Sequence, residues 1–333
     1  MKTLIYILMF FLSTQLFAQT KKAEDFGFRH IQTIFNGDKV DILIKSKKGE
    51  ELKKKPIFFF CQGSLPQPLI KYDDQGAYGV FPFRTDSLEK DFHIVIIGKP
   101  NIPLIVDLKK LGRNMCYEDS LTHKTPKKYS DKNYLDYYVD RNLKVIEILQ
   151  KLPYVNTNKL VVAGHSEGST IASKLATKTT KITHLIYSSG NPLGRILSII
   201  EQDRMIEADT DSTRFAEKQF DYWKQVVENK NNFDDTNGDT YKATYDFSIP
   251  PIQYLQKLTI PILVCYGTKD YSSPYNDYLR VEMIRQQKKN FTFKSYIGLE
   301  HNFFPLTESG QPDYDKFNWD NIANEWWKWT NKK

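Results

Sequence analysis

Residues 160–170 read LVVAGHSEGST, and this stretch decides which fold the sequence predicts. An apolar run typical of a buried strand leads directly into Gly164, Ser166 and Gly168, a Gly-x-Ser-x-Gly pattern, and a helical pattern follows. A serine on so sharp a turn leaves no room for side chains two residues to either side, and the two glycines remove them. The pattern predicts Ser166 as a nucleophile, with the backbone N–H of Glu167 beside it, where the helix dipole stabilises an oxyanion.

At average residue usage a bare Gly-x-Ser-x-Gly pattern arises by chance in about one chain in ten of this length, so the pattern alone is weak evidence. The surrounding sequence makes it specific. A strand pattern precedes it, a helix pattern follows it, and the small residues Ser169 and Ala172 allow the close packing that such a turn needs. This combination favours a nucleophile turn over a chance match.

A serine hydroxyl is an effective nucleophile only when a base accepts its proton and a third group orients that base. Residues 261–270, PILVCYGTKD, form a buried strand pattern that ends in a glycine-containing turn at Asp270. Farther along, residues 298–302, GLEHN, place His301 in a loop. Both positions follow strands at the sheet edge where Ser166 lies, and the order Ser, acid, His predicts Asp270 as the orienting acid and His301 as the base. The alternative for Asp270 is a surface residue that caps a turn.

The loop after the third strand is expected to supply a second N–H group for the oxyanion. Residues 57–61 form that strand, and Gln62, Gly63 and Ser64 follow it. Gly63 would let the backbone turn back toward Ser166, so the N–H of Ser64 or of a neighbour is the candidate donor. The side chain of Gln62 could instead brace this loop.

Strands and helices alternate along most of the chain. Nearly continuous apolar runs, typical of strands buried on both faces of a parallel sheet, occur at residues 57–61, 92–97, 160–163, 182–187 and 260–266. Helical patterns occur at residues 135–152, 167–177, 278–287 and 318–329. An alternating pair, residues 30–35 and 39–45 around Asn36-Gly37, predicts an antiparallel edge hairpin. We expect an α/β fold with a doubly wound, mostly parallel sheet.

Two polar stretches are additional to these alternating strands and helices. Residues 191–256 carry helix-like patterns at 195–208 and 213–230 between two core strands, which predicts a helical cap insertion, and residues 100–133 form a second insertion. The predicted division of the chain is a signal peptide at 1–18, a core in two parts at 19–190 and 257–333, and the cap at 191–256.

Three segments, GHSEGS at 164–169, PILVCYGTKD at 261–270 and GLEHNF at 298–303, resemble the α/β-hydrolase superfamily. The resemblance is narrower to its branch of serine aminopeptidases, prolyl-oligopeptidase-type catalytic domains and capped carboxylesterases. It covers about residues 29–330 and implies an eight-strand sheet, hydrolysis through an acyl-enzyme at Ser166, a cap over the pocket, and no metal or organic cofactor. Gln62 stands where many relatives carry His, and neither insertion matches a subfamily pattern.

The resemblance also bears on the pocket and on the cysteines. Tyr72, Tyr222 and Trp223 are candidates for lining a substrate pocket, although an aromatic residue in a cap helix is more often a packing residue. Cys61 and Cys265 fall on the third and seventh strands, about 14 Å apart at a strand spacing of about 4.8 Å, which is beyond disulfide reach. Both are expected to be small buried hydrophobic residues.

The first residues have the order of a secretory signal. Lys2 precedes an apolar run at 4–12, and Leu16-Phe17-Ala18 precede Gln19, so we expect cleavage after Ala18 and a secreted or periplasmic protein. The alternative is a membrane anchor, but the run is shorter than the roughly 20 residues that span a bilayer. We expect no stable membrane insertion of the mature chain.

Charge and composition argue against several other classes. The formal net charge is +7 at pH 7, and the basic runs lack the interleaved aromatic residues of a nucleic-acid platform. The six histidines are scattered, without metal-site spacing. Residues 234–239 suggest a calcium loop, but that register puts Phe233 first and Thr244 twelfth, and neither supplies the required carboxylate. The sequence does not indicate an oligomeric state.

The first hypothesis is an exported hydrolase of small or medium acyl esters. A serine peptidase of the same fold acting on short peptides is the alternative, with Glu201 or Asp203 as candidates to hold a peptide's α-amino group. An acyltransferase also fits an acyl-enzyme. A non-catalytic binding protein is disfavoured, because Ser166, Asp270 and His301 are all present.

Overall fold

The computed structural model describes residues 21–208, 212, 214–234 and 238–332. The predicted signal peptide lies outside the described residues, and so do residues 235–237 of the acidic turn considered for calcium. The strands are β1 (Arg29–Phe35), β2 (Asp38–Lys45), β3 (Lys55–Cys61), β4 (Ile70–Asp73), β5 (Gly76–Tyr78), β6 (His93–Ile97), β7 (Ile105–Asp107), β8 (Val155–His165), β9 (His184–Ser188), β10 (Ile262–Gly267) and β11 (Phe291–Tyr296). The helices are α1 (Asp86–Glu89), α2 (Lys127–Ser130), α3 (Leu135–Leu149), α4 (Glu167–Ala176), α5 (Arg195–Ile206), α6 (Phe215–Glu228), α7 (Tyr241–Phe247), α8 (Ile252–Leu255), α9 (Ser273–Arg285) and α10 (Trp319–Thr330). Short 3-10 turns lie at Ala23–Phe26, Leu108–Lys110 and Arg113–Met115.

Eight strands form the main sheet, in the order β1-β2-β6-β3-β8-β9-β10-β11. From β6 to β11 each neighbouring pair is parallel, whereas β2 runs antiparallel to both β1 and β6. Asn36 and Gly37 join β1 to β2 with positive φ angles of 48° and 84°, as a two-residue type I′ turn requires. The predicted doubly wound, mostly parallel eight-strand sheet is confirmed.

Both faces of the sheet are covered, which explains why its strands are nearly continuous apolar runs. Along β3, Ile57, Phe59 and Cys61 pack into one core with α3 and α4, whereas Phe58 and Phe60 pack into a second core with α10. The two cores hold the central strands from both sides. The carboxyl ends of β3, β8, β10 and β11 are therefore fixed at one edge of the sheet.

Several short elements go beyond the sequence prediction. The two predicted cap helices are present as α5 and α6, and α7 and α8 follow them. The α7 helix begins after Thr240, whose hydroxyl caps it by accepting a hydrogen bond of 3.1 Å from the N–H of Ala243. The α9 helix starts at Ser273 rather than at residue 278, because a proline suits the first turn of a helix. A separate sheet, β5-β4-β7, has strands of three or four residues, too short to show periodicity.

The cysteines are placed as predicted. The β8 and β9 strands lie between β3, which carries Cys61, and β10, which carries Cys265. Both thiols are buried and free, and Cys116 is also free.

Within the described ranges, no helix combines the length and the apolar character that a bilayer crossing needs. The same residues contain no group of three or more His, Cys, Asp or Glu side chains placed to hold a metal ion.

Candidate active site

Ser166 stands between β8 and α4, on the turn that the sequence pattern predicts. Its φ of 55° and ψ of −125° lie outside the regions that non-glycine residues normally adopt, so the backbone is strained here. A Cβ on Gly164 would lie 2.1 Å from the carbonyl oxygen of Gly168, and one on Gly168 would lie 2.0 Å from that of Cys61. Strand and helix therefore approach too closely for a side chain at either glycine.

The loops after β10 and β11 bring Asp270 and His301 to Ser166. His301 Nε2 lies 3.0 Å from Ser166 Oγ, and His301 Nδ1 lies 3.1 Å from Asp270 Oδ2. Asp270 is only 3% exposed, and its Oδ1 accepts a hydrogen bond of 2.9 Å from the backbone N–H of Ser272. Three side chains from distant segments of the sequence thus form one continuous hydrogen-bonded chain.

The surroundings of this chain favour an ionised acid and a basic imidazole. Burial alone would raise the pKa of Asp270, but the His301 imidazole and the N–H of Ser272 outweigh burial and hold the pKa of this carboxyl below its usual range. Burial alone would lower the pKa of His301, but the Asp270 carboxylate raises it above the ordinary value for histidine, with a smaller contribution from Glu300. His301 is therefore a stronger base than a free imidazole.

Two aromatic rings pack against the His301 imidazole. Tyr271 stacks on it with ring centroids 4.7 Å apart, and the ring of His165 lies 5.2 Å away. His165 is itself within hydrogen-bonding distance of Ser188 Oγ, at 3.1 Å, and of Asn302 Oδ1, at 3.3 Å. Burial, together with nearby His301, lowers the pKa of His165 to about 3, so this ring stays neutral near pH 7. Tyr271 is not identified from the sequence as a site residue, although its position directly after Asp270 is a signal that could have found it.

The loop after β3 lies beside the nucleophile. A Cβ on Gly63 would be 3.9 Å from the Cβ of Ser166, so the backbone of this loop reaches the turn. The Tyr129 hydroxyl donates a hydrogen bond of 2.9 Å to the carbonyl of Ser64. The side-chain amide of Gln62 donates one of 2.7 Å to the last carbonyl of β6, which is the bracing contact considered above. These contacts fix the loop that carries the candidate oxyanion donor.

A sequence model of the family described as BAAT / acyl-CoA thioester hydrolase C terminal matches residues 136–302, which is half of the chain. The chain belongs to this family of α/β-hydrolases. The matched segment contains Ser166, Asp270 and His301. No curated protein matches the chain.

Solved structures share the fold of this α/β-hydrolase at low sequence identity. Est1E from Butyrivibrio proteoclasticus is 15% identical, with 90% of this chain and 97% of that chain covered and a TM-score of 0.52. An acylaminoacyl peptidase from Pyrococcus horikoshii is 15% identical, with 90% and 41% covered and a TM-score of 0.52. A fungal esterase structure from Rhizomucor miehei is 14% identical, with 91% and 81% covered and a TM-score of 0.52. These similarities confirm the predicted α/β-hydrolase fold.

Two cavities of this α/β-hydrolase meet at Ser166. The cap-side cavity, of about 240 Å³, is bounded by α5 and is largely polar. The loop-side cavity, of about 600 Å³, is bounded by the loop after β3 and by the β4-β5 hairpin and is more apolar. Both cavities are lined by Ser64, Ser166, Tyr271 and His301. Ser166 is therefore open to both cavities.

One hydroxyl in the cap-side cavity was not predicted. Ser189 follows β9 with a positive φ of 45°, is buried, and its Oγ has no hydrogen-bond partner among the described residues. A buried polar group without a partner is destabilising unless a ligand or water satisfies it. The sequence signal was its place at the end of an apolar strand, at the same sheet edge as Ser166.

A buried charge cluster joins the nucleophile turn to the cap. Glu167, whose N–H is the other predicted oxyanion donor, is the first residue of α4, and its side chain contacts Lys99, at 3.1 Å, and Arg195. Arg195 also contacts Asp239 at 2.6 Å. Burial alone would raise the pKa of Glu167, but the two cations hold it below its usual value. The sequence predicts a role only for the backbone of Glu167. Lys99, two residues after the end of β6, is the sequence signal for such a cluster.

The structure corrects the predicted pocket residues. None of Tyr72, Tyr222 and Trp223 lines either cavity at Ser166 within the described residues. Tyr72 packs against Phe26 with ring centroids 5.8 Å apart, and Trp223 stacks on Tyr245 at 5.9 Å. Tyr222 packs against the small apolar cluster of α5 and α6. All three rings pack against other residues: Tyr72 lies on β4, and the cap turns the polar side of α5, not Tyr222 and Trp223, toward Ser166.

Proposed function

We propose that this chain is an exported serine hydrolase that cleaves small or medium acyl esters through an acyl-enzyme on Ser166. The observation that carries the proposal is the continuous hydrogen-bonded chain from Ser166 Oγ through the His301 imidazole to the buried Asp270 carboxylate. The 3.0 Å between Ser166 Oγ and His301 Nε2 suits proton transfer from a nucleophile to a general base, and the 3.1 Å between His301 Nδ1 and Asp270 Oδ2 suits a hydrogen bond that orients that base.

In the first half-reaction, Ser166 Oγ attacks the ester carbonyl carbon while His301 Nε2 accepts the hydroxyl proton. Asp270 keeps a proton on His301 Nδ1 and stabilises the imidazolium that forms. The backbone N–H groups of Glu167 and Ser64 stabilise the negative charge on the carbonyl oxygen. His301 then donates its proton to the departing alcohol oxygen as the carbon–oxygen bond breaks. In the second half-reaction water attacks the acyl carbon while His301 accepts its proton. The bond between that carbon and Ser166 Oγ then breaks, His301 returns the proton to Oγ, and the acid is released.

The charges in the cap-side cavity favour ester over peptide substrates. A peptidase of this fold that selects a free α-amino group needs an available carboxylate. Among the described lining residues the carboxylates are those of Glu167 and Asp239, and both contact Arg195. The cap acids named above, Glu201 and Asp203, are not among its described lining residues. A thioester, the bond in the family description, would pass through the same acyl-enzyme.

The test compares bond classes on the purified chain. We expect turnover of 4-nitrophenyl acyl esters and far slower turnover of aminoacyl 4-nitroanilides, because an amine is the poorer leaving group. Turnover of anilides alone would reverse the ranking and leave the peptidase alternative.

A fluorophosphonate probe tests the nucleophile directly. Ser166→Ala should abolish labelling, whereas Ser309→Ala, at an exposed serine that is not among the described lining residues of either cavity, should leave it intact. An unlabelled wild-type chain would favour the non-catalytic binding protein. Labelling that survives in Ser166→Ala would assign the chemistry to another residue.

A further inference from the structure

The loop-side cavity holds an unusual side chain. Its walls include the apolar residues Leu65, Leu69, Val80 and Met115, and among the described lining residues it contains one lysine, Lys71, and no Asp or Glu. Lys71 lies on β4 and is only 5% exposed. The same cavity opens on Ser166 and His301.

The contacts of the Lys71 ammonium are all with neutral oxygens. Its Nζ donates long hydrogen bonds to the side-chain oxygen of Gln67, at 3.4 Å, and to the carbonyls of Pro68 and Gly79, both at 3.3 Å. No carboxylate in the described ranges lies within 4.0 Å of it. The hydrogen bonds position the ammonium, but none of them balances its charge.

Neighbouring acidic groups do not provide a counter-ion. Asp73, two residues along β4, accepts hydrogen bonds from the Tyr78 hydroxyl, at 2.8 Å, and from the N–H of Gln75, at 2.7 Å. Burial raises the pKa of the Cys116 thiol, so this thiol is neutral near pH 7. Burial lowers the pKa of Lys71 to about 8, which still leaves the ammonium largely protonated at neutral pH.

A buried charge without a partner is unfavourable, and proteins normally supply a carboxylate for a buried lysine. Here the Lys71 ammonium has no carboxylate partner within the described ranges, and the cavity that Lys71 lines leads to Ser166. A lysine ammonium carries one positive charge, and no arginine guanidinium stands beside it in the described lining of this cavity. It therefore matches the single negative charge of a carboxylate better than the double negative charge of a phosphate monoester.

We propose that the loop-side cavity selects esters that carry a carboxylate, bound against the Lys71 ammonium while the ester carbonyl lies at Ser166. This inference rests on the proposed ester hydrolysis. The preferred substrates are half-esters of dicarboxylic acids, or esters with a carboxylate on the alcohol part, whose carbon chain lies along the apolar wall.

The test measures kcat/KM for matched pairs of esters that differ in charge. For the acyl part we compare 4-nitrophenyl hydrogen glutarate with 4-nitrophenyl pentanoate, and for the alcohol part 4-acetoxybenzoate with its methyl ester. Wild type should prefer the anionic member of at least one pair. Lys71→Met should lower kcat/KM for that anionic ester by about 30-fold or more, chiefly through KM, and change the neutral ester by less than about threefold.

Two variants separate charge recognition from folding. Lys71→Arg keeps the charge and should retain most of the preference. Lys109→Met removes an exposed lysine paired with Asp74 at 3.9 Å, outside the cavity lining, and should leave the preference unchanged. Equal losses on the anionic and neutral esters in Lys71→Met would show a purely structural lysine and overturn the inference.

Binding without turnover distinguishes failure of this inference from failure of the proposed function. The anionic ester of the preferred type, monomethyl glutarate for the acyl part or 4-acetoxybenzoate for the alcohol part, should bind to Ser166→Ala in calorimetry. Its neutral counterpart, methyl pentanoate or methyl 4-acetoxybenzoate, should bind more weakly, and the difference should vanish in Ser166→Ala/Lys71→Met. Absence of that difference overturns carboxylate recognition, even if neutral esters are hydrolysed. Absence of ester turnover alongside the binding difference rejects the proposed reaction alone.

Discussion

Replacing Asp270 with Asn changes one atom and tests the role of the acid. In the folded chain Asp270 Oδ2 faces His301 Nδ1 at 3.1 Å, and Oδ1 accepts the N–H of Ser272. The asparagine side chain keeps the hydrogen bond from the N–H of Ser272 when its amide oxygen faces that N–H. Its NH₂ group then faces His301 Nδ1. Nδ1 must act as an acceptor, and the proton of the neutral ring moves to Nε2, where it blocks proton transfer from Ser166.

The expected loss follows from this tautomer change. Turnover should fall by about 10⁴-fold, equivalent to about 5.5 kcal/mol of transition-state stabilisation, while the fold is retained because the shape is conserved. The pKa of His301 should also fall, because burial lowers it and the carboxylate that raises it is gone.

The assay is kcat/KM for a neutral 4-nitrophenyl ester from about pH 5 to 9. Wild-type activity should fall as the pH drops through a pKa above the ordinary 6.5 of histidine, because protonated His301 cannot act as base. In Asp270→Asn this limb should move to lower pH, whereas Asp313→Asn, which removes a surface carboxylate paired with Lys316, should leave it in place. Full activity in Asp270→Asn, or an unmoved acid limb, would refute the assignment of Asp270.

Four further outcomes are expected. Ser166→Ala and His301→Ala should each lower turnover by about 10⁶-fold, more than Asp270→Asn, in the same ester assay. Gly168→Ala should lower the free energy of unfolding, measured with denaturant, by about 3 kcal/mol or more, because its Cβ would lie 2.0 Å from a carbonyl oxygen. In the control Gly98→Ala the added Cβ would lie 3.7 Å from its neighbours, so this variant should unfold like wild type. Arg195→Met should lower the unfolding free energy by about 3 kcal/mol, since Glu167 and Asp239 lose their shared partner; an unchanged denaturation midpoint would show the cluster to be dispensable. If the chain is exported as proposed, mass spectrometry of the exported protein should find Gln19 at its N-terminus, and an intact Met1 would contradict the signal peptide.

The nucleophile, acid and base positions could be chosen from the sequence because backbone geometry restricts them. Gly164 and Gly168 are required by contacts of about 2 Å that any side chain would make. Gly267 is equally constrained, since its Cβ would lie 2.1 Å from the carbonyl of Leu299, where the loop that carries Asp270 crosses the loop that carries His301. Such restrictions leave a local pattern that a single sequence displays.

The pocket residues could not be chosen in this way, because their placement depends on the packing of distant segments. Tyr222 and Trp223 are aromatic and lie in the cap, but α6 turns them toward α5 and α7. Arg195 gives no signal until α5 is placed against the turn at Ser166, and the place of Ser189 after an apolar strand does not by itself show that this residue lines the cavity. Residue type alone therefore cannot tell an aromatic side chain that lines the pocket from one that packs within the cap.

Lys71 could not be recognised from the sequence as a pocket residue, because its burial also depends on distant segments. The β4 strand has four residues, and a lysine there is expected to face solvent. Its burial arises because the loop after β3 and the 3-10 turn Arg113–Met115 close over it, with the Gln67 side chain donating a hydrogen bond of 2.6 Å to the carbonyl of Asn114. The 100–133 insertion is thus part of the wall that buries the charge. A substrate carboxylate is the partner that would make this burial favourable. The insertion and Lys71 should therefore act together in substrate choice, while Ser166 on its strained turn should carry out the proposed hydrolysis.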